Sequence, residues 1–83
     1  MRLTVRYFAS IREALGKGSE AIETEARTID ELRQSLIARG HDYAQSLGRG
    51  KAVRVALDKV MASDAEALRE GCEVAFFPPV TGG

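Results

Sequence analysis

Two adjacent prolines, Pro78 and Pro79, directly follow the apolar run Val74-Ala75-Phe76-Phe77, and they constrain the chain more than any other pair of residues. Proline has no amide hydrogen to give to a sheet ladder, and it biases the backbone toward the extended polyproline conformation. A strand over residues 72–77 therefore stops at Phe77, and the chain leaves the sheet stiffly. The remaining segment, Val80-Thr81-Gly82-Gly83, is short and ends in two residues without side chains. Fully extended, residues 78–83 span roughly 20 Å at about 3.3 Å per residue, with nothing to pack against. The expected organisation is one domain over residues 1–77 and a flexible tail over residues 78–83.

Upstream, period-2 alternation marks the strands. Leu3, Val5 and Tyr7 alternate with Arg2, Thr4 and Arg6, and Phe8 falls on the polar side of that pleat, so its ring is expected to face outward. Ile22 with Ala21 and Glu23 gives a weaker strand signal over residues 19–25, a return arm beside the first strand. Val53, Val55 and Leu57 form a third strand, Asp58-Lys59 a turn and Val60-Met61 a short fourth strand. Leu68-Arg69-Glu70-Gly71 turns the chain into the last strand, where Cys72, Val74 and Phe76 share one face and Glu73, Ala75 and Phe77 the other. Phe8 and Phe77 are thus both expected on the outer face of the sheet.

Two capping boxes announce helices. Ser10 precedes Glu13 by three residues, ahead of Ile11, Ala14 and Leu15, with Gly16 as terminator and Arg12 turned to solvent. Thr28 precedes Glu31 likewise, Ile29, Leu32 and Leu36 fall on one helical face, and Gly40 follows as the stop. Residues 41–51 read as looser structure, a turn capped by Asp42 and punctuated by Gly48 and Gly50. The expected fold class is α+β, a mixed sheet packed on one main helix.

Composition then removes function classes. Lys and Arg total 12 and Asp and Glu total 12 in 83 residues, so the formal charge is zero, unlike the basic excess of a dedicated nucleic-acid binder. No apolar run approaches the roughly 20 residues that span a bilayer, and the N-terminus has no signal-peptide core, so neither nucleic acid nor membrane is an expected partner and a cytoplasmic location is. One cysteine, Cys72, allows no internal disulfide and is expected to be a buried small hydrophobe. His41 reads as a surface turn residue. With one His and one Cys there is no basis for a metal site, and no glycine-rich phosphate loop is present. A self-sufficient acid-base or nucleophilic active site has too few convergent groups.

Two features remain. Arg2, Arg6 and Arg12, extended by Arg54, make a basic face that is either a solvated sheet surface or a docking surface for an acidic protein partner; the neighbouring Phe8 and Phe77 favour docking, since aromatic residues and Arg are enriched at interface cores. The second feature is the tail. Gly82 and Gly83 would let a terminal carboxylate, ionised at neutral pH with a reference pKa of about 3.5, thread a narrow channel, where a nucleotide-using enzyme can convert it to an acyl adenylate. A frayed terminus is the plain alternative.

The tail FFPPVTGG, the lead-in Leu68-Arg69-Glu70-Gly71-Cys72-Glu73-Val74, the opening Val5-Arg6-Tyr7-Phe8-Ala9 with Arg12-Glu13, and the element order together resemble the family of molybdopterin synthase small subunits. The likeness covers essentially the whole chain. It implies a ubiquitin-like β-grasp fold and a sulfur-carrier role in molybdenum cofactor biosynthesis. Gly83 would be adenylated by an E1-like activating enzyme that uses ATP, converted to a thiocarboxylate by a sulfur donor system, and inserted into the synthase large subunit to give its sulfur to cyclic pyranopterin monophosphate. The resemblance further implies that the tail residues Pro78, Pro79, Val80, Thr81 and Gly82 deliver Gly83, and that Phe8, Arg12 and Phe77 line the partner surface. It implies no cofactor on this subunit, active-site residues on the large subunit, and a tetramer of two large and two small subunits. Cys72 departs from the family pattern, which more often has an acidic residue after the glycine. Bare Gly-Gly is shared with thiamine-type sulfur carriers and ubiquitin-like protein modifiers, which are the alternative readings.

Overall fold

The computed structural model describes residues 1–48 and 52–79, so residues 80–83 of the tail lie outside the described residues. The elements are β1 (Arg2–Tyr7), α1 (Ala9–Leu15), β2 (Ser19–Glu23), α2 (Ile29–Ile37), α3 (His41–Leu47), β3 (Arg54–Leu57), β4 (Val60–Met61) and β5 (Glu73–Phe77). The strands form one sheet in the order β2-β1-β5-β3-β4. β1 and β5 run parallel at its centre, and the other pairs are antiparallel. This is the α+β mixed sheet that the strand patterns imply, and the β-grasp arrangement that the family resemblance implies.

Alternation decides what each face does. Leu3, Val5, Tyr7, Ile22, Val55, Leu57, Val74 and Phe76 are buried on the inner face, together with Ile29, Leu32 and Leu36 of α2, Leu47 of α3 and Ile11 of α1. Fully burying side chains of this size contributes about 1.5–3 kcal/mol each, which explains how one short chain with no disulfide sustains a core. Cys72 is buried with them, as expected of a small hydrophobe.

The capping box at Thr28 forms: the Glu31 amide donates to Thr28 Oγ1 at 3.2 Å, and Glu31 Oε1 accepts from the Arg27 amide at 2.8 Å. The Ser10 box does not. α1 already begins at Ala9, with Phe8 as its N-cap and no side-chain cap, because the Phe8 carbonyl accepts the first helical bonds from Ile11 and Arg12. Gly16 ends α1 in the left-handed conformation at φ 74°, returning its amide to the Arg12 carbonyl. α2 stops at Ile37, short of Gly40, which serves as the N-cap of α3.

α3 replaces the turn expected after Gly40, so among the described residues three helices accompany the sheet, of which α2 is the longest. Its end is held from outside the segment. Buried Arg33 of α2 donates from Nε to the Leu47 carbonyl at 2.6 Å and from Nη2 to the Gly48 carbonyl at 3.2 Å, capping acceptors that the helix itself leaves open. Gly48 is required there, since a Cβ would lie 2.5 Å from the Ala44 carbonyl oxygen. The Asp58-Lys59 turn between β3 and β4 has positive φ at both residues, 49° and 71°, as tight two-residue hairpins require.

Candidate functional site: the outer sheet face and the root of the tail

Parallel pairing of β1 with β5 sets Tyr7 opposite Phe76. The next residue on each strand, Phe8 and Phe77, turns to the outer face, where the rings meet edge to face with centroids 6.5 Å apart and planes at 84°. The attraction of a positive ring edge for a negative ring face accounts for that geometry. Phe8 remains 38% exposed, an uncommon position for a phenylalanine in a chain with only three. The Arg6 guanidinium carbon lies 5.2 Å from the Phe8 centroid, and Arg6 Nη1 lies 3.9 Å from Glu73 Oε1. Arg54 is the register partner of Phe77. The outer face thus carries an exposed Phe8 against a half-buried Phe77, with the Arg6 guanidinium over the Phe8 ring, and both phenylalanines take the outward side that the pleat assigned them.

Arg12 is exposed, but its side chain runs beside the turn into β2: a Cβ on Gly18 would stand 3.4 Å from Arg12 Nε. Phe8 and Phe77 are therefore brought into contact, while the Arg12 side chain, one helical turn on from Phe8, lies beside Gly18 instead. Two residues join the pair on this surface: Arg6, already part of the expected basic face, and Met61. Arg6 comes in through its contact with Phe8, and Met61, 56% exposed, continues the outer-face row through Ala56 and Ala75. A strand too short to show alternation left Met61 without a sequence signal.

Pro78 and Pro79 are half-buried, which corrects the expectation that nothing supports the chain beyond Phe77. They wall a cleft of about 360 Å³ together with Ile11 and Ala14 of α1, Gln45 of α3 and Val53. The domain thus partly covers the root of the tail, and the cleft beside it stays open. The expected roles of Val80, Thr81, Gly82 and Gly83 fall outside the described residues.

A polar cluster lies on the other face. Glu20 shares the buried side of β2 with Ile22, where a carboxylate demands partners. It accepts hydrogen bonds from Tyr7 Oη at 2.7 Å, Arg39 Nη1 at 2.8 Å and Tyr43 Oη at 3.1 Å. Burial pushes the Glu20 carboxyl up, but hydrogen bonds from Arg39 and Tyr7, the Arg39 charge and a bond from Tyr43 outweigh it, leaving the group below its ordinary value. Burial, reinforced by the Glu20 carboxylate, pushes the Tyr7 hydroxyl well above its own ordinary value, so it stays a donor. The cluster ties β1, β2 and α3 together and contains no nucleophile within reach of the tail root. Among the described residues no group of three or more His, Cys, Asp or Glu side chains is arranged to hold a metal ion, and no helix is long and apolar enough to cross a membrane.

Comparison with known proteins matches this geometry to a set of relatives. The molybdopterin synthase sulfur carrier subunits of Haemophilus influenzae and Escherichia coli are each 37% identical over 81 residues, covering 98% of this chain and 99% of theirs. A solved structure of the complex of subunits 1 and 2 of molybdopterin-converting factor from Helicobacter pylori contains a chain that superposes with a TM-score of 0.72 at 26% identity, over the full length of both. The ThiS family profile matches residues 5–83. A family match that runs from residue 5 to residue 83, with relatives 37% identical over nearly their whole length, places the chain in the ThiS family.

Proposed function

We propose that this chain is the sulfur-carrier subunit of a molybdopterin synthase. The observation that carries the reading is the continuity of β5 with the tail: one strand sets Phe77 against Phe8 on the outer face and passes straight into Pro78 and Pro79, whose rings stiffen the chain where it leaves the sheet. A docking surface and a reactive arm that share a strand are delivered to a partner as one unit. The relatives named as sulfur carriers, matched over nearly their whole length, supply the chemistry for the arm.

In this reading the carboxylate of Gly83 attacks the α-phosphate of ATP on an E1-like adenylating enzyme, releasing pyrophosphate and forming an acyl adenylate. A sulfur nucleophile from a donor system then attacks the acyl carbon and displaces AMP, leaving a thiocarboxylate. Loaded Gly83, with Gly82 giving clearance and Val80 and Thr81 spanning the distance from the domain, enters the large subunit and gives its sulfur to cyclic pyranopterin monophosphate. The small domain contributes docking through Phe8, Phe77 and Arg12, and the large subunit contributes the catalytic groups. The carrier itself binds no cofactor and works in the cytoplasm, and two carriers join two large subunits in the assembly. The Helicobacter pylori complex of subunits 1 and 2 of molybdopterin-converting factor is the precedent for a second subunit as partner.

Removal of Gly83 tests the reading. The truncated chain is expected to keep the parent's melting temperature, since termini of this kind hold few packing contacts, and to lose sulfur transfer to the pterin substrate entirely in an assay with large subunit, activating enzyme, ATP and sulfur donor. Transfer that survives the deletion would contradict it.

A further inference from the structure

Three non-glycine residues among those described have positive φ: Ala9 at 52°, Asp58 at 49° and Lys59 at 71°. Asp58 and Lys59 are the central pair of the β3–β4 turn, which accounts for both. Ala9 lies in no hairpin. It is the first residue of α1, in a backbone region that the Cβ of an L-residue makes costly and that survives where the surroundings over-determine it.

Those surroundings are visible. The Phe8 amide donates to the Phe76 carbonyl at 3.1 Å, extending the β1–β5 ladder one residue past β1. The Phe8 carbonyl accepts from the Ile11 amide at 3.2 Å and the Arg12 amide at 3.4 Å, so it already belongs to α1. Phe8 is held by the sheet on one side and by the helix on the other, and Ala9 makes the corner between them. Ala9 is exposed, so burial does not explain its methyl group. Once the ladder and the helix exclude negative φ, an alanine has one narrow well left, whereas a glycine would have the broad positive-φ half of the map.

We propose that Ala9 is a positioning residue for partner docking: its methyl group confines the strand-to-helix corner to the single conformation that holds the Phe8 ring outward against Phe77 and starts α1. The inference rests on the reading of Phe8 as a docking residue. Glycine at this corner relieves the strain and so does not harm the fold, but it leaves the Phe8 ring to be ordered on binding, and ordering a side chain lowers affinity. Stability and affinity move in opposite directions, which a purely structural role for Ala9 would not produce.

The test compares the parent, Ala9→Gly, Phe8→Ala and the double variant by thermal denaturation and by calorimetric titration with the large subunit. Ala9→Gly is expected to melt no lower than the parent and up to about 4 °C higher. Its Kd for the large subunit is expected to rise about fivefold, with a less favourable binding entropy. In the Phe8→Ala background the same substitution should change Kd by less than about twofold, because the ring it positions is gone. A parent-like Kd for Ala9→Gly, an equal loss with and without Phe8, or a lower melting temperature would overturn the inference. Phe8→Ala binding as tightly as the parent would instead contradict the docking role of Phe8 itself.

Discussion

Phe76 and Phe77 are adjacent in one strand and meet opposite environments. Phe76 is fully buried on the inner face, stacked near-parallel to Tyr7 with centroids 6.5 Å apart; Phe77 is half-buried on the outer face, edge-on to Phe8 at the same separation. Both pairs arise from the same parallel register of β1 and β5, and the pleat alone assigns one to the core and the other to the surface. The inner face holds its carboxylate, Glu20, in a closed set of partners, while the outer face keeps Arg6 and Arg54 exposed. A sheet with these two faces can lose much of its outer surface chemistry without losing its fold.

Truncating the inner ring is the strongest way to break that division. Phe76→Ala should destabilise the domain by about 3–5 kcal/mol, measured by chemical denaturation, since it removes a fully buried aromatic and leaves a cavity. A loss under about 1 kcal/mol would show that the core is not organised around this stack.

Glu20→Ala comes next, at about 1–3 kcal/mol, because it strands the hydroxyls of Tyr7 and Tyr43 without their acceptor. Here pH sharpens the comparison. The folded-state pKa of Glu20 lies below the unfolded value of about 4.3, so the unfolded chain binds more protons and the carboxylate's contribution to stability is complete above that value and lost as pH falls through the folded pKa. Urea denaturation from about pH 6 down to about pH 3 should show a stability drop in the parent that is smaller in Glu20→Gln, within about 1–3 kcal/mol in total. Identical acid slopes would place the pH dependence elsewhere, with Asp58 the next group to examine: the Glu73 amide and then Arg69 hold its carboxyl below its ordinary value.

The smallest effect on the fold belongs to Phe77→Ala. Its cost in stability should stay below about 1 kcal/mol, in line with most changes away from the core, while affinity for the large subunit falls by about 1–3 kcal/mol in a titration. A variant that loses as much stability as Phe76→Ala would erase the distinction between the faces.

The strands and the longest helix were legible because each carries its own periodicity: Leu3, Val5 and Tyr7 on one side of β1, and Ile29, Leu32 and Leu36 along α2 behind a working Thr28–Glu31 box. The outward placement of Phe8 and Phe77 followed from parity. Their contact did not, because alternation says which face a residue takes and not which strand lies beside it. α3 escaped for a similar reason: seven residues between glycines give little periodicity, and its C-terminal carbonyls are capped by Arg33 from another helix. The Ser10 box was misleading because Phe8 continues the sheet ladder and its carbonyl opens α1 before Ser10 is reached. The half-burial of Pro78 and Pro79 beside a cleft lined by α1 and α3 is likewise a tertiary arrangement that no local pattern states.

The central claim is that this domain presents a face and an arm, with the arm carrying the reactive group at Gly83. Intact-mass measurement after incubation with the activating enzyme, ATP and a sulfur donor tests it most directly, with fragmentation to locate the change. The account predicts a mass gain equal to one oxygen replaced by sulfur, confined to Gly83; an unchanged mass under conditions that load a known carrier, or sulfur found on Cys72 instead, would contradict it.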